Sequence, residues 1–381
     1  MNFHPIAELF PLIEGDEFDA LVLDIKLHGL IEPITTYQNL ILDGRNRYNA
    51  CIAAGVEPRY IEYTGDDPAT LALSMNLKRR HLTPTQKAFI ALGLIPFYEE
   101  AAKQRQRQGQ TKLSDPKEAG NSRDFAAERV GVSSGYVEIA KEIQEESPEL
   151  AAEARSGLIH MKAAQSKVKK KKRDAERTKL ADEGRNVPES DRWHVWQGDI
   201  NTWAAPQKYD FIITDPPYPK EYLSLYEVLA YRAKEWLKPG GLLVAMCGQS
   251  YLNEIYAAMS KHIEYYWTVA YLTPGQSASL WQKQVIPKWK PLLIFSNGPY
   301  AGKMFSDVYE SGENDKDLHK WGQSESGMLS IIQGICLPGQ SILDPFCGAG
   351  TTGVAALKHG CLFDGIDIDE ESVNISKGRM K

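Results

Sequence analysis

The residues best placed to do chemistry are Asp215-Pro216-Pro217-Tyr218. The apolar run before them, Tyr209-Asp-Phe-Ile-Ile-Thr214, reads as a buried strand. The tetrapeptide thus stands at the carboxyl end of a strand, where open α/β sheets bind their ligands. Two prolines fix the backbone and remove two N–H donors. What remains is a rigid rim with a carboxylate, carbonyls and one aromatic plate. Such a rim suits a flat group that carries an amino function: carboxylate and carbonyl accept from the NH2 while the ring stacks on its face. Alone, the same four residues equally suit a proline-stiffened turn after a strand.

A second constellation lies downstream, Ser341-Ile-Leu-Asp-Pro-Phe-Cys-Gly-Ala-Gly-Thr-Thr-Gly353. It reads as a strand, a glycine-rich turn and a helix from Thr351 to about His359, closed by Gly360. A further strand, Leu362 to Ile366, ends at Asp367. This is a βαβ nucleotide pattern, in which glycines allow close backbone approach and a later acid holds ribose hydroxyls. It departs from the dinucleotide fingerprint because Phe346 and Cys347 occupy the turn and Asp344 ends the strand. A carboxylate there repels a pyrophosphate and suits a ligand with a cationic centre and no phosphates. S-adenosylmethionine is such a ligand.

Alternating strands and helices from about Asp191 to the C-terminus predict a parallel sheet with helices on both faces to position these motifs. Residues 1–98 alternate short strands and helices: a strand pair at Ile31 to Thr36 and Asn39 to Asp43, a helix from Tyr48 to Ala54, and a strand from Pro58 to Tyr63. A helix starts at Thr83-Pro84 and runs toward Glu100. Lys103 to Ser122 is polar and reads as a mobile loop. In the helical stretch 124–160, Ala127, Gly131 and Val137 stand at the spacing of a helix-turn-helix, with Ser133 or Ser134 capping the second helix. That unit reads as a major-groove reader or as a purely structural helical pair. Residues 161–190 form a basic helix or linker before a final domain over 191–381.

The 381 residues carry a net charge of −6, yet Asn76 to Leu180 holds 22 Lys and Arg against 14 Asp and Glu. A basic middle on an acidic chain suits a nucleic-acid footprint or a solvated helical face. Five scattered cysteines without a C-x-x-C pair read as reduced thiols of a cytoplasmic protein, and no metal site is suggested. No signal peptide opens the chain, and the longest apolar stretch, Ala88 to Tyr98, is too short to span a bilayer.

The domain from about Asp191 to Lys381 resembles the DNA amino-methyltransferases, which methylate adenine N6 or cytosine N4. They combine an Asp-Pro-Pro-Tyr or Ser-Pro-Pro-Tyr catalytic motif with an Asp-Pro-Phe-x-Gly-x-Gly cofactor motif. The catalytic motif comes first here, as in the beta group. The resemblance implies a Rossmann-like, S-adenosylmethionine-dependent sheet. It implies that Asp215, Pro216, Pro217 and Tyr218 hold the base amino group and stack on a base flipped from the duplex. Phe346, Gly348 and Gly350 would line the methionine part of the cofactor beside Asp344. Asp367 would take the ribose and Asp199 the adenine amino group. In place of the family's His-Pro-Thr-Gln-Lys-Pro stands His319-Lys-Trp-Gly-Gln-Ser324, making Trp321, Gln323 and Ser324 the candidates for the cofactor's carboxylate. No Pro-Cys dipeptide occurs, which excludes the cysteine nucleophile of cytosine-C5 chemistry. The Asp-Pro-Pro-Tyr form favours adenine N6, with cytosine N4 the alternative. RNA or protein-glutamine methylation is a second enzyme reading, against which Asp215 weighs, since those sites usually begin with Asn. A homodimer follows by analogy alone.

The N-terminal part resembles the α+β ParB/Srx-like domain of partition proteins, through Leu42-Asp-Gly-Arg-Asn-Arg-Tyr-Asn-Ala50 and Met75-Asn-Leu-Lys-Arg-Arg-His-Leu-Thr-Pro84. Gly44, Arg45, Arg47, Asn76 and Arg79 match positions that hold nucleotide phosphates in that family. Asn46 stands where an arginine is common, so either CTP binding or a scaffold for double-stranded DNA is implied. Arg45, Arg47, Arg79 and Arg80, with Ser134 and Tyr136 on the second helix of the helix-turn-helix, are the candidate DNA contacts. A non-enzymatic partition regulator whose methyltransferase fold only binds ligand is the third reading. The aromatics, Gln and Lys residues between Tyr271 and Trp289 read as a segment that reaches bases or as a core strand pair with a loop.

Overall fold

The run Tyr209–Thr214 is a strand, buried on both faces from Phe211 to Thr214 as its largely apolar run predicts. The computed structural model describes residues 1–77, 82–107, 122–188, 190–273, 279–312 and 324–381, and divides into two units, Met1–Lys171 and Lys172–Lys381.

In the first unit, α1 (Pro5–Glu8) and α2 (Asp16–His28) precede β1 (Ile34–Tyr37) and β2 (Leu40–Asp43). Gln38 and Asn39 both take positive φ, 50° and 63°, the left-handed pair that closes a two-residue hairpin. α3 (Arg45–Ala54) leads to β3 (Tyr60–Glu62), which pairs parallel with β1 to give a sheet ordered β2-β1-β3. α4 (Pro68–Leu77) ends this part, and α5 (Pro84–Arg107) opens a helical one. A reciprocal cap starts α5: Thr83 Oγ1 accepts from Gln86 N and Gln86 Oε1 accepts from Thr83 N at 3.0 Å. The helix runs through Pro96 and past Glu100, because buried Phe89, Ile90, Leu94 and Tyr98 hold it to the core. The expected loop from Lys103 is therefore helical to Arg107, and residues 108–121 lie outside the described ones.

The predicted helix-turn-helix is α6 (Ser122–Val130) and α7 (Ser134–Glu146). Gly131 turns between them at φ 74°, Ala127 and Val137 are buried, and Ser133 is the cap, accepting from Tyr136 N. α8 (Pro148–Ser156) and α9 (Met161–Gly184) follow. The basic segment is thus one continuous helix, and its last turns belong to the second unit. There Gly184 and Gly378 let α9 touch α14 (Glu370–Met380) backbone to backbone: a Cβ on Gly378 would lie 2.2 Å from Leu180 O.

The second unit contains β4 (Trp193–Gln197), β5 (Tyr209–Thr214), α10 (Leu223–Trp236), β6 (Leu237–Met246), α11 (Leu252–Met259), β7 (Glu264–Leu272), β8 (Trp289–Ser296), β9 (Val308–Glu310), α12 (Glu325–Ile335), β10 (Ser341–Asp344), α13 (Thr351–His359), β11 (Leu362–Asp367) and α14. Its eight strands are ordered β4-β11-β10-β5-β6-β8-β7-β9. The first five are mutually parallel, and β8 is antiparallel to both β6 and β7. Phe211 and Ile213 of β5 pack with Ile331, Ile332, Ala355 and Ala356 of α12 and α13 on one face. Tyr209 and Ile212 pack with Tyr226, Leu229 and Trp236 of α10 on the other. Each large side chain so buried is worth about 1.5–3 kcal/mol. This is the doubly wound, Rossmann-like α/β sheet expected from the sequence. The chain leaves β5 toward β6 on one side and β10 toward β11 on the other. The boundary between β5 and β10 is therefore the topological switch point, where a crevice opens at the carboxyl ends.

Candidate active site

Four neighbouring strands deliver an aspartate to one edge of the sheet. Asp344 ends β10, Asp367 ends β11, Asp215 follows β5 and Asp199 follows β4 by two residues. Pairing of Leu343 with Ile212, Asp344 with Gly365 and Asp367 with Gln197 sets their levels. The carboxylates thus form a row along β4-β11-β10-β5. Asp199 accepts from Asn201 N at 2.9 Å and Asn201 Nδ2 at 2.7 Å, bonds that hold its carboxyl below the ordinary range.

At the β5 end, the Tyr218 hydroxyl donates to Asp215 Oδ1. Burial, with Asp215 beside it, pushes the phenol well above its ordinary value, so it remains a donor. Pro216 is buried, Asp215, Pro217 and Tyr218 are half-buried, and Gly248 backs the Tyr218 side chain, where a Cβ would stand 3.6 Å from Tyr218 Cβ. Cys247 lies beneath, its thiol pushed up to about 12 by burial and by Asp215, so it stays protonated and inert.

At the β10 end, the carboxylate of Asp344 is buried. Its Oδ1 accepts from Thr214 Oγ1 at 2.6 Å and from Phe346 N at 3.1 Å, and Thr352 also bonds it. Thr214 immediately precedes Asp215, so one hydrogen bond ties the two motifs together. Desolvation pushes the Asp344 carboxyl up to about 6 against these bonds. Asp367 accepts from Gly348 N at 2.8 Å and Asp369 N at 3.0 Å, which still leaves carboxylate lone pairs for hydroxyl donors. Gly348 and Gly350 take φ 49° and 78°. A Cβ on Gly348 would meet nothing within 4 Å, so the turn borders open space. A Cβ on Gly350 would lie 2.3 Å from Ser376 Oγ and 3.1 Å from Ser376 Cα. Gly350→Ala therefore combines left-handed strain of about 1–2 kcal/mol with a clash against α14. We expect it to lower the thermal midpoint by several degrees in a melting experiment, whereas Gly348→Ala carries only the strain.

Ser324 is buried as the N-cap of α12, accepting from Gly327 N at 3.0 Å, with Tyr271 Oη at 3.4 Å. Trp321 and Gln323 lie outside the described residues, as do Arg79 and Arg80. In the first unit, Gly44 (φ 97°) caps α3. Arg45 donates to the carbonyls of Ala7 and Phe10 and stacks on Phe3, while Arg47 pairs with Glu32 at 2.6 Å and Asp43 at 2.8 Å. Asn76 donates to Asp43 Oδ1 at 3.1 Å. These residues line a cavity of about 200 Å3. The two motifs therefore meet, but around a pocket rather than on an outward basic face. Ser134 and Tyr136 are half-buried at the start of α7, and Arg123 pairs with Glu138 on that helix at 2.7 Å.

Three residues join the site that the sequence reading had not singled out. Thr214 links the motifs. Ile368, 71% exposed directly after Asp367, offers an apolar edge, and an apolar residue next to the ribose acid was the available signal. Lys290, on β8, places Nζ 5.2 Å from the Tyr218 ring centroid. Nothing local marks it, because only the antiparallel return of β8 brings it there.

Residues 209–378 match the family of DNA methylases acting at N6 and N4. The Type II methyltransferase M2.DpnII of Streptococcus pneumoniae is 37% identical over 86 residues, 21% of this chain and 32% of that protein. The nucleoid occlusion protein of Bacillus cytotoxicus is 32% identical over 129 residues, 29% of this chain and 44% of that protein. The chain thus spans about a third to under a half of the length of these relatives. Among solved structures, the M1.HpyAVI–SAM complex aligns at 21% identity and TM-score 0.41, covering 50% of this chain and 99% of that one. The cytosine-N4-specific PvuII DNA methyltransferase aligns at 16% and 0.42, covering 50% and 87%. Among the described residues, no helix is long and apolar enough to cross a membrane.

Proposed function

We propose that this chain, whose residues 209–378 form a DNA methylase domain, transfers a methyl group from S-adenosylmethionine to adenine N6 in double-stranded DNA. The observation that carries this is the bond from Thr214 to Asp344, which fixes an amino-group clamp and a glycine-lined turn side by side at the switch point. The residues fit the cofactor. Gly348 leaves open space beside the turn, Asp367 keeps acceptor capacity for ribose hydroxyls, and Asp199 stays ionised to accept from an amino group. When bound, the cofactor supplies an electrophilic methyl on a sulfonium.

The chain's part is positioning and electrostatics. An exocyclic amino group is a weak nucleophile because its lone pair is delocalised into the ring. With the Tyr218 hydroxyl held on Asp215 Oδ1, the Asp215 carboxylate and the Pro216 carbonyl are the acceptors for the two amino protons. Held so, the nitrogen turns pyramidal and its lone pair points away from the clamp. The proton lost on forming the new N–C bond leaves toward the Asp215 carboxylate, its existing acceptor. Tyr218 stacks on the flipped base and offsets part of the unstacking and unpairing that its removal from the duplex costs.

In the first unit, the ParB-like part and its helix-turn-helix position DNA. Nucleotide entry at the Gly44 pocket requires Arg45 and Arg47 to exchange carbonyl and carboxylate acceptors for phosphate oxygens. Retention of labelled CTP that is lost in Arg47→Ala assigns that pocket to a nucleotide, and no retention leaves DNA positioning as the role of this unit. For the whole chain, label from S-adenosylmethionine is expected in duplex DNA and, after digestion to nucleosides, in N6-methyl-2′-deoxyadenosine. Label in N4-methyl-2′-deoxycytidine moves the target base, and label only in RNA or protein overturns the proposal.

A further inference from the structure

We propose that Trp281, at the tip of the connection between β7 and β8, is the wedge that enters duplex DNA where the target base leaves the stack. This rests on the DNA-methylation reading above. The connection leaves the sheet at the catalytic edge. β7 runs in the same direction as β6, since both are antiparallel to β8, so its last residue Leu272 lies at the edge that carries Asp215. β8 returns there through Trp289, paired with Leu272, and Pro291 O accepts from Cys247 N at 3.1 Å. Lys290, between them, sits over Tyr218.

The tip is built rather than loose. Leu280 N donates to Val285 O at 2.8 Å and Val285 N to Leu280 O at 3.4 Å. The four residues between them close with Gln284 at φ 54°, and its Nε2 donates to Trp281 O at 2.7 Å. Lys283 Nζ pins this hairpin by donating to Ser250 O at 2.8 Å, just beyond β6, and stands 5.9 Å from the Tyr251 ring. Within this fixed frame Trp281 is 78% exposed, with Val285 at 48% and Ile286 at 58%. Water on that much apolar surface is unfavourable, and clustering of this kind marks a surface that meets a partner.

Charge identifies the partner. From Thr273 to Lys290 the chain carries three lysines, Lys283, Lys288 and Lys290, and no acidic residue, although the whole chain carries −6. A partner that offers a flat apolar face and anionic oxygens together is a nucleic acid. Phosphates meet the lysines, and an opened base step takes the indole, as apolar wedges do when a duplex is unstacked. A base pulled toward Tyr218 leaves a gap beside its neighbours, and an indole held at the same edge can fill it. Filling the gap lowers the work of keeping the base out.

The test compares methyl transfer to duplex DNA and to the same DNA heat-denatured, for wild type, Trp281→Ala and Trp281→Phe, with S-adenosylmethionine binding measured on each protein. Loss of an aromatic stacked on bases corresponds to about a tenfold or larger effect. Trp281→Ala is expected to lose about tenfold or more in kcat/KM on the duplex and about twofold or less on denatured DNA. Trp281→Phe is expected to recover most of the duplex rate, and cofactor binding to stay unchanged in both. Equal losses on the two DNA forms, or no loss on either, overturn the wedge and leave the methyltransferase reading standing. No transfer to either DNA form by the wild type overturns that reading itself.

Discussion

Asp215→Ala is expected to reduce methyl transfer to duplex DNA by about two to three orders of magnitude, the range seen when one preorganised group is removed from a transition-state site, while S-adenosylmethionine binding changes little. Two roles of Asp215 are lost together. Its carboxylate accepts the Tyr218 hydroxyl and so fixes the plate on which the base stacks. In the proposed mechanism the same carboxylate is the acceptor that turns the amino lone pair toward the methyl group. Asp215→Asn separates these roles. The single amide oxygen can face Tyr218 or the amino group but not both, and the NH2 opposes an amino group. Its loss should approach that of the alanine variant. Tyr218→Phe keeps the ring and removes only the hydroxyl, so it should lose about tenfold, the worth of one hydrogen bond that orients a reacting group. Single-turnover rates with cofactor saturating make the comparison. A residual rate within tenfold of wild type in Asp215→Ala would remove Asp215 from the chemistry and leave the tetrapeptide as a structural turn.

The order in the sequence of what could and could not be read has physical causes. Tyr209–Thr214 and Ser341–Asp344 were legible because a strand buried on both faces has no polar alternation to obscure it. The glycine turn was legible because Gly348 and Gly350 answer a local need for positive φ, which neighbours in sequence reveal. Gly131 and the alanine and valine around it were legible for the same reason. Partners set by long-range register were not. The partners that Arg45 and Arg47 hold, the carbonyls of Ala7 and Phe10 and the carboxylates of Glu32 and Asp43, appear only once these distant residues are folded against them. Lys290 reaches Tyr218 only because β8 runs back along β6, more than seventy residues downstream. The tip at Trp281 reads from sequence as any basic, aromatic loop; its exposure and its anchor on Ser250 exist only in the folded chain. Burial, too, is a property of the whole: only the fold shows that the Asp344 carboxylate is buried under the turn and bonded to Phe346 N.

That burial gives Asp344→Asn two opposite effects. The carboxyl, ordinarily near 3.8, is pushed up to about 6 by desolvation. Between these values the folded chain holds a proton that the unfolded chain has released, so stability rises as pH falls through the window. Above about pH 6 the ionised group costs on the order of 3 kcal/mol. Asparagine keeps an oxygen for Thr214 Oγ1 and Phe346 N–H and offers an NH2 toward Thr352, without the charge. Melting experiments should therefore show Asp344→Asn several degrees more stable than wild type at pH 8, with the gain gone near pH 4. Binding should move the other way. The carboxylate lies under the turn, bonded to Phe346 N, and its field acts through a poorly screened interior. The variant is expected to bind S-adenosylmethionine about tenfold or more weakly at pH 8, and wild-type affinity should fall toward that of the variant as pH drops below 6. A variant less stable than wild type at pH 8 would mean that hydrogen bonds to the carboxylate outweigh its desolvation. Unchanged affinity would mean that Asp344 serves the fold alone. The combination expected here, more stability with less binding, is what a buried charge retained for a cationic ligand produces.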